Sequence, residues 1–330
     1  MIITQTPLRV SFLGGGTDYP EYFDQHGGAT LGTSIDKYTY ITVSPLTEFF
    51  DHSLRVSYSK TELCKAVDEV QHPAVRECLR FVGIERGVEI AVVSDLPART
   101  GLGSSSCFTV GLLHALHAFK GELVSQEQLA VEAIRIERDL IKERVGLQDQ
   151  YTCALGGLLH LNFQSLQRVI VNPVVVSSAR KPALQERLLL FYTGLQRHAH
   201  DILAQQIART QTGEITPQLG QLQDLVVDGV EILCQGRDLS AFGDLLHQGW
   251  LLKQQLSDVV SNPLIDQAYA RARRAGAVGG KLLGAGGGGV LLLYVEPYNQ
   301  AAVRQALADM REVKFQFENQ GSRVIFYRPT

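Results

Sequence analysis

The sequence predicts a two-domain protein of the α+β class, in which strands and helices are grouped rather than strictly alternating. Its 330 residues suit one large domain or two of ordinary size. Strand patterns dominate the first hundred residues, four helical patterns follow residue 196, and strands return near the C-terminus. Residues 164–186 contain two prolines and have mixed polarity, so we place the boundary there, with domains at 1–180 and 181–330.

Segments rich in β-branched and aromatic residues, bounded by turns, predict the strands of the first domain. They are LRVSFL (8–13), YTYITVSPL (38–46), LRVSYS (54–59), GVEIAVVSDLPA (87–98) and GLLHLNF (157–163).

Two helices are predicted between these strands. Residues 105–119 are apolar nearly all round, which indicates a central, buried helix. The next helix begins at a capping box, Ser125 to Gln128, and keeps helical period to about residue 144. Glu137 falls on its apolar face, where a carboxylate is costly unless a cation compensates it. The following VGLQDQYTCALGG (145–157) is predicted as a polar loop.

The second domain is predicted to open with a strand at RLLLFYTG (187–194). Four helices follow, and the last has Asn262 as N-cap, Pro263 at its first position and Gly276 just past its end. VLLLYV (290–295) and SRVIFYR (322–328) predict strands on either side of a helix near 298–311. The four helices are predicted over about 197–209, 217–235, 239–257 and 263–275.

Composition excludes several classes of protein. The net charge of −3 lacks the footprint of a nucleic-acid binder. Five widely spaced cysteines argue against a disulfide framework and a thiolate zinc site. The N-terminal residues do not resemble a signal peptide, and no apolar run reaches the ~18 residues of a membrane span. We therefore expect a cytoplasmic protein with no nucleic-acid or membrane partner.

The 31 glycines are the informative count, because many of them cluster at three places. The clusters are GGGTD (14–18), GLGSSS (101–106) and GGKLLGAGGGG (279–289). Glycine allows a backbone to approach a ligand closely, and a helix N-terminus attracts anions. On its own, GLGSSS fits an ordinary helix cap as well as a phosphate cradle. GAGGGG is not a dinucleotide fingerprint, because a strand rather than a helix follows it.

Taken together, three motifs resemble those of the GHMP kinase superfamily. They are PLRVSFLGGGTDYPEY (7–22), LPARTGLGSSSCFTVGL (96–112) and GGKLLGAGGGGVLLLYV (279–295), in the family's order. The resemblance implies an N-terminal domain like domain 2 of ribosomal protein S5 and a ferredoxin-like α+β C-terminal domain. It also implies an active site between them that uses ATP and Mg²⁺.

The resemblance assigns roles to individual residues. Asp149 in GLQDQ is expected to accept the proton of the acceptor hydroxyl, with Arg9 beside it. Ser105 and Glu137 are expected to hold magnesium, which would explain a buried carboxylate. The nucleotide phosphates are expected on Gly101, Leu102, Gly103, Ser104, Ser105 and Ser106.

The acceptor is expected on the first and third motifs. Within the family, GGGTD, IDKYTYITV and GLQDQYTCALGG look most like the heptose kinase branch, which phosphorylates the anomeric hydroxyl of a heptose 7-phosphate and so supplies nucleotide-activated heptose for surface glycans. The existing phosphate calls for a basic residue, for which Arg197 and Lys281 are candidates. The other expected acceptor contacts are Gly15, Gly16, Thr17, Asp18, Gly286 and Gly287.

Two alternatives stay open at this point. One is another GHMP small-molecule kinase, acting on L-fucose, galactose or a uronic acid. The other is a non-catalytic relative that binds sugar and ATP, although Ser105, Glu137 and Asp149 together favour an enzyme. The expected partners are a sugar phosphate and ATP, with a homodimer as a possible assembly.

Overall fold

The structure, a computed structural model, describes residues 1–195 and 199–328. Within these residues the strands form one sheet of nine strands and one of four. The strands are β1 (Ile2–Leu13), β2 (Gly28–Pro45), β3 (Leu54–Ser57), β4 (Thr61–Cys64), β5 (Val88–Ser94), β6 (Leu158–Ser165), β7 (Arg168–Pro173), β8 (Leu188–Tyr192), β9 (Ala277–Leu282), β10 (Val290–Val295), β11 (Arg311–Glu312), β12 (Phe317–Glu318) and β13 (Arg323–Tyr327).

The helices pack on both sheets and between them. They are α1 (Pro20–His26), α2 (Pro73–Val82), α3 (Ser104–Phe119), α4 (Gln126–Ile134), α5 (Gln148–Leu155), α6 (Arg180–Glu186), α7 (Ala199–Gln211), α8 (Thr216–Gln235), α9 (Ser240–Leu256), α10 (Pro263–Arg274) and α11 (Gln300–Ala306).

The larger sheet has the strand order β13-β1-β2-β5-β3-β4, with β6 and β12 also pairing with β2. The smaller sheet has the order β11-β8-β10-β9, and its strand pairs are antiparallel. Grouped strands and helices in two units confirm the predicted mixed α+β fold.

Strand β1 carries the first motif into the interior of the molecule. Its residues alternate in burial from Ile2 to Gln5 and are continuously buried from Thr6 to Leu13. Helix α3 packs on β1, and so do α8 and α9 of the second half. Covering by helices from both halves explains why polar residues of this strand, such as Arg9, lie inside.

Helix α3 is the predicted central helix, and most of its residues are buried. It packs on β1 and β2 and against α2, α4 and α5. Gly111 permits the close approach to β1, because a Cβ there would lie 2.7 Å from Thr6 Oγ1. In the part of the chain that the structure describes, no helix is both long and apolar enough to cross a bilayer.

Two predictions for the segment after α3 were wrong. The helix that begins at Ser125 is α-helical only to Ile134, and Arg135–Leu140 forms a π-helical turn. The predicted loop at 145–157 contains α5, which places Asp149 in a first helical turn. The helix is only eight residues long, and its polar start hid it from a periodicity argument.

The predicted crossing at 164–186 was also partly wrong, because β7 lies inside it and forms an antiparallel ladder with β6. Near its C-terminus, the chain returns to the nine-stranded sheet. Strand β12 pairs with β2, and β13 pairs with β1. A division into residues 1–180 and 181–330 would therefore separate β12 and β13 from the other strands of the nine-stranded sheet.

Helix α9 lies unusually close to the smaller sheet. A Cβ at Gly279 would lie 1.8 Å from the carbonyl oxygen of Gly243 and 3.0 Å from the amide nitrogen of His247. Both atoms belong to the α9 backbone, so no side-chain rotation relieves the clash. This contact fixes the position of α9, which carries Lys253 of the cavity described below.

We expect Gly279→Ala to lower the free energy of unfolding by about 1–3 kcal/mol or more, because it pushes α9 off β9. Gly220→Ala in α8 is the matched control, since its Cβ would meet nothing nearer than 3.8 Å. Alanine is the better helix former by about 1 kcal/mol, so this control should be neutral or stabilising. Chemical denaturation measures both, and equal stability of the two variants would contradict the packing argument.

Candidate active site

A cavity of about 1230 Å³ opens where the three glycine-rich loops meet. Its wall includes Gly15 and Gly16 from the first loop and Gly101 and Gly103 from the second. The third loop contributes residues 284–286 and 288. The sequence motifs therefore converge in space, although more than 170 residues separate the second from the third.

The second and third loops touch through their backbones. A Cβ at Gly101 would lie 2.4 Å from the carbonyl oxygen of Leu283, and one at Gly284 would lie 2.6 Å from the Gly101 Cα. Gly101 also has φ near +80°, which side chains rarely adopt. These glycines thus join the two halves of the cavity as well as leaving room for a ligand.

Helix α3 points its N-terminus into the cavity. Gly103 precedes it in a left-handed conformation, with φ of 73°, and no side chain in the described part of the chain caps the helix. Ser104, Ser105 and Ser106 form the first turn and line the cavity, and Ser105 is exposed there. A 16-residue helix with free N–H groups and hydroxyls at its start is suited to phosphate.

Glu137 lies in the π-helical turn and is only 1% exposed, yet it lines the cavity. Its carboxylate accepts hydrogen bonds from Ser106 Oγ at 2.9 Å, Thr109 Oγ1 at 2.8 Å and Gln150 Nε2 at 2.5 Å. Burial raises the pKa of Glu137 to about 7, although these three donors oppose the shift. Among the described residues its hydrogen-bond partners are neutral, so its charge lacks a compensating cation.

This arrangement fits a magnesium ion. Mg²⁺ commonly keeps several waters and is held by one or two carboxylates together with substrate phosphates. Glu137 and the hydroxyls at the start of α3 would hold it. The structure brings Ser106 rather than Ser105 into contact with Glu137. The assignment of Ser105 to magnesium stays a prediction, and the sequence gave no role to Thr109 or Gln150.

Arg9 and Asp149 form a bidentate ion pair in the cavity. Arg9 Nε lies 2.6 Å from Asp149 Oδ1, and Nη2 lies 2.7 Å from Oδ2. The remaining Arg9 Nη1 donates to the Gly101 carbonyl at 2.6 Å, and the Arg9 backbone amide donates to Leu102. One guanidinium therefore holds the first motif, the GLGSSS loop (101–106) and α5 together.

Asp18 is buried beside this pair. Its carboxylate accepts hydrogen bonds from the Gly16 amide at 3.0 Å and from Gln148 Nε2 at 2.9 Å. Gly146 makes room for it, since a Cβ there would lie 2.0 Å from Asp18 Oδ2. Burial raises the pKa of Asp18, and the neighbouring Asp149 raises it further. The carboxylate is thus held rigidly on the cavity wall.

Two lysines lie on the wall formed by the second half of the chain. Lys281 of β9 donates to the Phe12 carbonyl at 2.9 Å, and Lys253 of α9 donates to the Leu282 carbonyl at 3.2 Å and to Gly284. Burial lowers the pKa of Lys281 well below its usual value and that of Lys253 to about 8. Sequence reasoning missed Lys253, because one lysine in a helix carries no motif.

An aromatic group lines another part of the cavity. His72 stacks on Phe108 with 4.8 Å between ring centroids, and Tyr58 meets His72 edge-on at 4.9 Å. Flat apolar faces of this kind suit the base of a nucleotide. Because Tyr58 and His72 stand outside the motifs, the sequence offered no signal for them.

The remaining predicted residues lie around the cavity or outside the described part of the chain. Thr17, Leu102 and Gly287 do not line it: Thr17 donates to the carbonyls of Gly14 and Ala29, and the Gly287 amide donates to Val260. Gly286 does line it. Arg197 lies outside the described residues.

Two family models match this chain. The GHMP kinases N terminal domain matches residues 62–157, and the GHMP kinases C terminal model matches residues 230–312. Together they cover more than half of the chain, in the family's order. The chain belongs to the GHMP kinase family.

Several known proteins resemble this GHMP kinase along nearly its whole length. D-glycero-alpha-D-manno-heptose 7-phosphate kinase of Campylobacter jejuni is 29% identical, over 93% of this chain and 93% of that protein. The solved structure of a putative sugar kinase from Campylobacter jejuni is 26% identical, with a TM-score of 0.76 over 98% of this chain and 97% of that one. A D-glycero-D-manno-heptose 1-phosphate kinase from Bacteroides thetaiotaomicron, at 24% identity, shares the fold with a TM-score of 0.79 over 99% and 100% of the two chains.

In metal-free buffer we expect the stability of this GHMP kinase to fall as pH rises from 4.5 to about 7. The folded state keeps the Glu137 proton up to about pH 7, whereas the unfolded chain loses it near 4.5. The shift corresponds to about 3 kcal/mol.

Glu137→Gln should remove this component, so the difference between the two stability profiles isolates it from other titrating groups. Glu127→Gln, at an exposed position of α4, is the control and should keep the wild-type profile. Denaturant titrations at several pH values measure the effect. Parallel profiles for wild type and Glu137→Gln would show that burial does not perturb this carboxylate.

Proposed function

We propose that this GHMP kinase transfers the γ-phosphoryl group of ATP to the anomeric hydroxyl of a heptose 7-phosphate, giving the 1,7-bisphosphate and ADP. The observation that carries the proposal is the Asp149 carboxylate, oriented by Arg9 in the same cavity as the open N-terminus of α3. The acceptor class rests on the 29% identity to a heptose 7-phosphate kinase over 93% of both chains.

Asp149 is suited to receive the proton of the acceptor hydroxyl. Arg9 occupies one lone pair on each carboxylate oxygen, and the side chain remains 24% exposed, so further lone pairs are accessible. As the hydroxyl oxygen bonds to the γ-phosphorus, the bond to the β-phosphate oxygen breaks and the proton passes to Asp149. Such a transfer depends mainly on positioning and charge stabilisation.

The second motif is suited to the nucleotide phosphates. The α3 N-terminus supplies backbone N–H donors and a partial positive charge, and its serines supply hydroxyls. A magnesium ion held by Glu137 would neutralise charge on the phosphates. The rings of Tyr58, His72 and Phe108 supply flat surfaces for the adenine.

The first motif is suited to the sugar. The Asp18 carboxylate is fixed by Gly16 and Gln148 and faces the cavity, where it can accept hydrogen bonds from ring hydroxyls. Gly15 and Gly16 leave the adjacent wall without side chains. Sugar recognition by a rigid carboxylate discriminates strongly, because an absent hydroxyl leaves a buried acceptor unpaired.

We expect ADP release to require Mg²⁺ and to be fastest with D-glycero-D-manno-heptose 7-phosphate in a panel that includes L-fucose, galactose and glucuronic acid. A coupled ADP assay measures this, and NMR identifies the phosphorylated carbon. Faster turnover of one of the free sugars would contradict the heptose proposal and identify the protein as a kinase for that sugar. Binding of ATP without turnover of any acceptor would favour a non-catalytic sensor.

Asp149→Asn should reduce kcat by about 10²–10⁴-fold, the usual contribution of a general base, while the KM for ATP changes little. Asp24→Asn, at an exposed position in α1, is the matched control and should keep wild-type kinetics. Steady-state assays with the best acceptor measure both variants. Unchanged turnover in Asp149→Asn would remove this residue from the mechanism.

A further inference from the structure

Two buried lysines share one wall of the cavity and lack an acidic partner. Lys253 is 7% exposed and Lys281 is 6% exposed, and both line the cavity. Their hydrogen bonds run to backbone carbonyls, those of Leu282 and Gly284 for Lys253 and that of Phe12 for Lys281. Among the described residues, neither forms an ion pair with a carboxylate. Buried charges are normally paired, so this wall lacks an anion.

Both ammonium groups have donors to spare. An ammonium has three N–H donors. Lys281 uses one of them on Phe12, and Lys253 uses two on Leu282 and Gly284. The remaining three are available to a ligand in the cavity. Three donors on two cations match the terminal oxygens of a phosphate monoester.

A third polar group in the cavity has no hydrogen-bond partner among the described residues. Ser11 is 5% exposed and lines the cavity, and its unpaired Oγ lies 3.5 Å from the position of a Cβ on Gly15, beside the first glycine loop. It lies two residues from Arg9 on β1, so both side chains lie on one face of the strand. A buried hydroxyl is costly when unpaired, which indicates that a ligand completes it.

The local charge leaves room for one phosphate. Arg9 and Asp149 neutralise each other, and Asp18 is the acidic group whose charge opposes the shifts at both lysines. With both ammonium groups protonated, two lysines against one carboxylate leave one positive charge. A phosphate monoester carries ≈ −1.5 to −2 at neutral pH, so it neutralises this excess and leaves about 0.5 to 1 negative charge.

The lysines lie on the acceptor side of the cavity. Lys281 contacts Phe12, two residues before the GGG of the first motif. Leu256, one turn after Lys253 in α9, lies 3.4 Å from the position of a Cβ on Gly16. The wall therefore adjoins the loop that holds Asp18, whereas the α3 N-terminus belongs to the second motif.

We infer that Lys253, Lys281 and Ser11 form a subsite for a phosphate that the acceptor already carries. The inference rests on the proposed kinase function and adds to it the residues that select a phosphorylated sugar over a free one. In this subsite the phosphate takes no part in bond making. It anchors the far end of the acceptor while the reacting hydroxyl reaches Asp149.

The test compares phosphorylated and free acceptors in lysine variants. Wild type should use the heptose 7-phosphate at least 100-fold better, in kcat/KM, than the free heptose. Lys281→Met and Lys253→Met should each lower that ratio by about 10- to 100-fold, the effect of losing a charged hydrogen bond. The KM for ATP should stay within about threefold. Lys65→Met, at an exposed lysine, is the matched control and should keep the ratio.

A methionine variant could fold poorly, so the test also includes the melting temperature of each variant and a milder substitution, Ser11→Ala. Removing an uncompensated buried charge should leave the melting temperature of the ligand-free protein unchanged or raise it. Ser11→Ala removes a hydroxyl with no protein partner, so it should fold and lower the ratio about 3- to 10-fold.

Failure of the inference is distinguishable from failure of the proposed function. The subsite would be overturned if the lysine variants lost kcat/KM equally for the phosphorylated and the free heptose, or if they raised the KM for ATP instead. Either result would leave the proposed heptose activity intact. If wild type turns over no heptose, calorimetry tests the subsite by comparing the binding of mannose 6-phosphate with that of mannose in the presence of ADP. Tighter binding of the phosphate that disappears in Lys281→Met supports the subsite, and no preference in wild type overturns it.

Discussion

The structure of this cavity depends on one buried guanidinium. Arg9 lies on a strand that helices of both halves cover, and its guanidinium donates two hydrogen bonds to Asp149 and one to Gly101. Gly103 is glycine partly because a Cβ there would lie 3.0 Å from the Arg9 side chain. The planar, fixed geometry of arginine sets the distances between the first motif, the GLGSSS loop (101–106) and α5. A lysine would supply the charge but could not hold three hydrogen bonds in this fixed arrangement.

Around this centre the cavity is organised by unbalanced charge. One wall holds a carboxylate, Glu137, with only neutral partners, and another holds two ammonium groups bonded to backbone carbonyls. Each imbalance is unfavourable in the empty protein, since desolvated charges require partners. Each would be compensated by a group of the proposed reaction, a metal ion at Glu137 and an anionic group at the two lysines. Stability has been exchanged for preorganisation on both walls.

The features that local sequence patterns determine were predictable from the sequence. The glycine loops, the buried α3 and the capped α10 follow from spacing and composition, and the structure brings the three loops together. Lys253 and the stacked His72 were not predictable, because distant contacts give them their surroundings. The π-helical turn at Glu137 also escaped, since a segment of six residues is too short to reveal a change of hydrophobic period.

The return of the C-terminal strands to the first sheet has a consequence for folding in the cell. Strand β1 pairs with β13, and Thr6 Oγ1 hydrogen-bonds Ser322 Oγ, so the sheet that begins at residue 2 is completed by residues after 316. During synthesis the N-terminal half leaves the ribosome with the outer side of β1 unpaired, and an unpaired edge invites intermolecular pairing. Strands β12 and β13, made long after β1, therefore close the first domain. A chain cut before them would lose the edge protection of the half that it still contains.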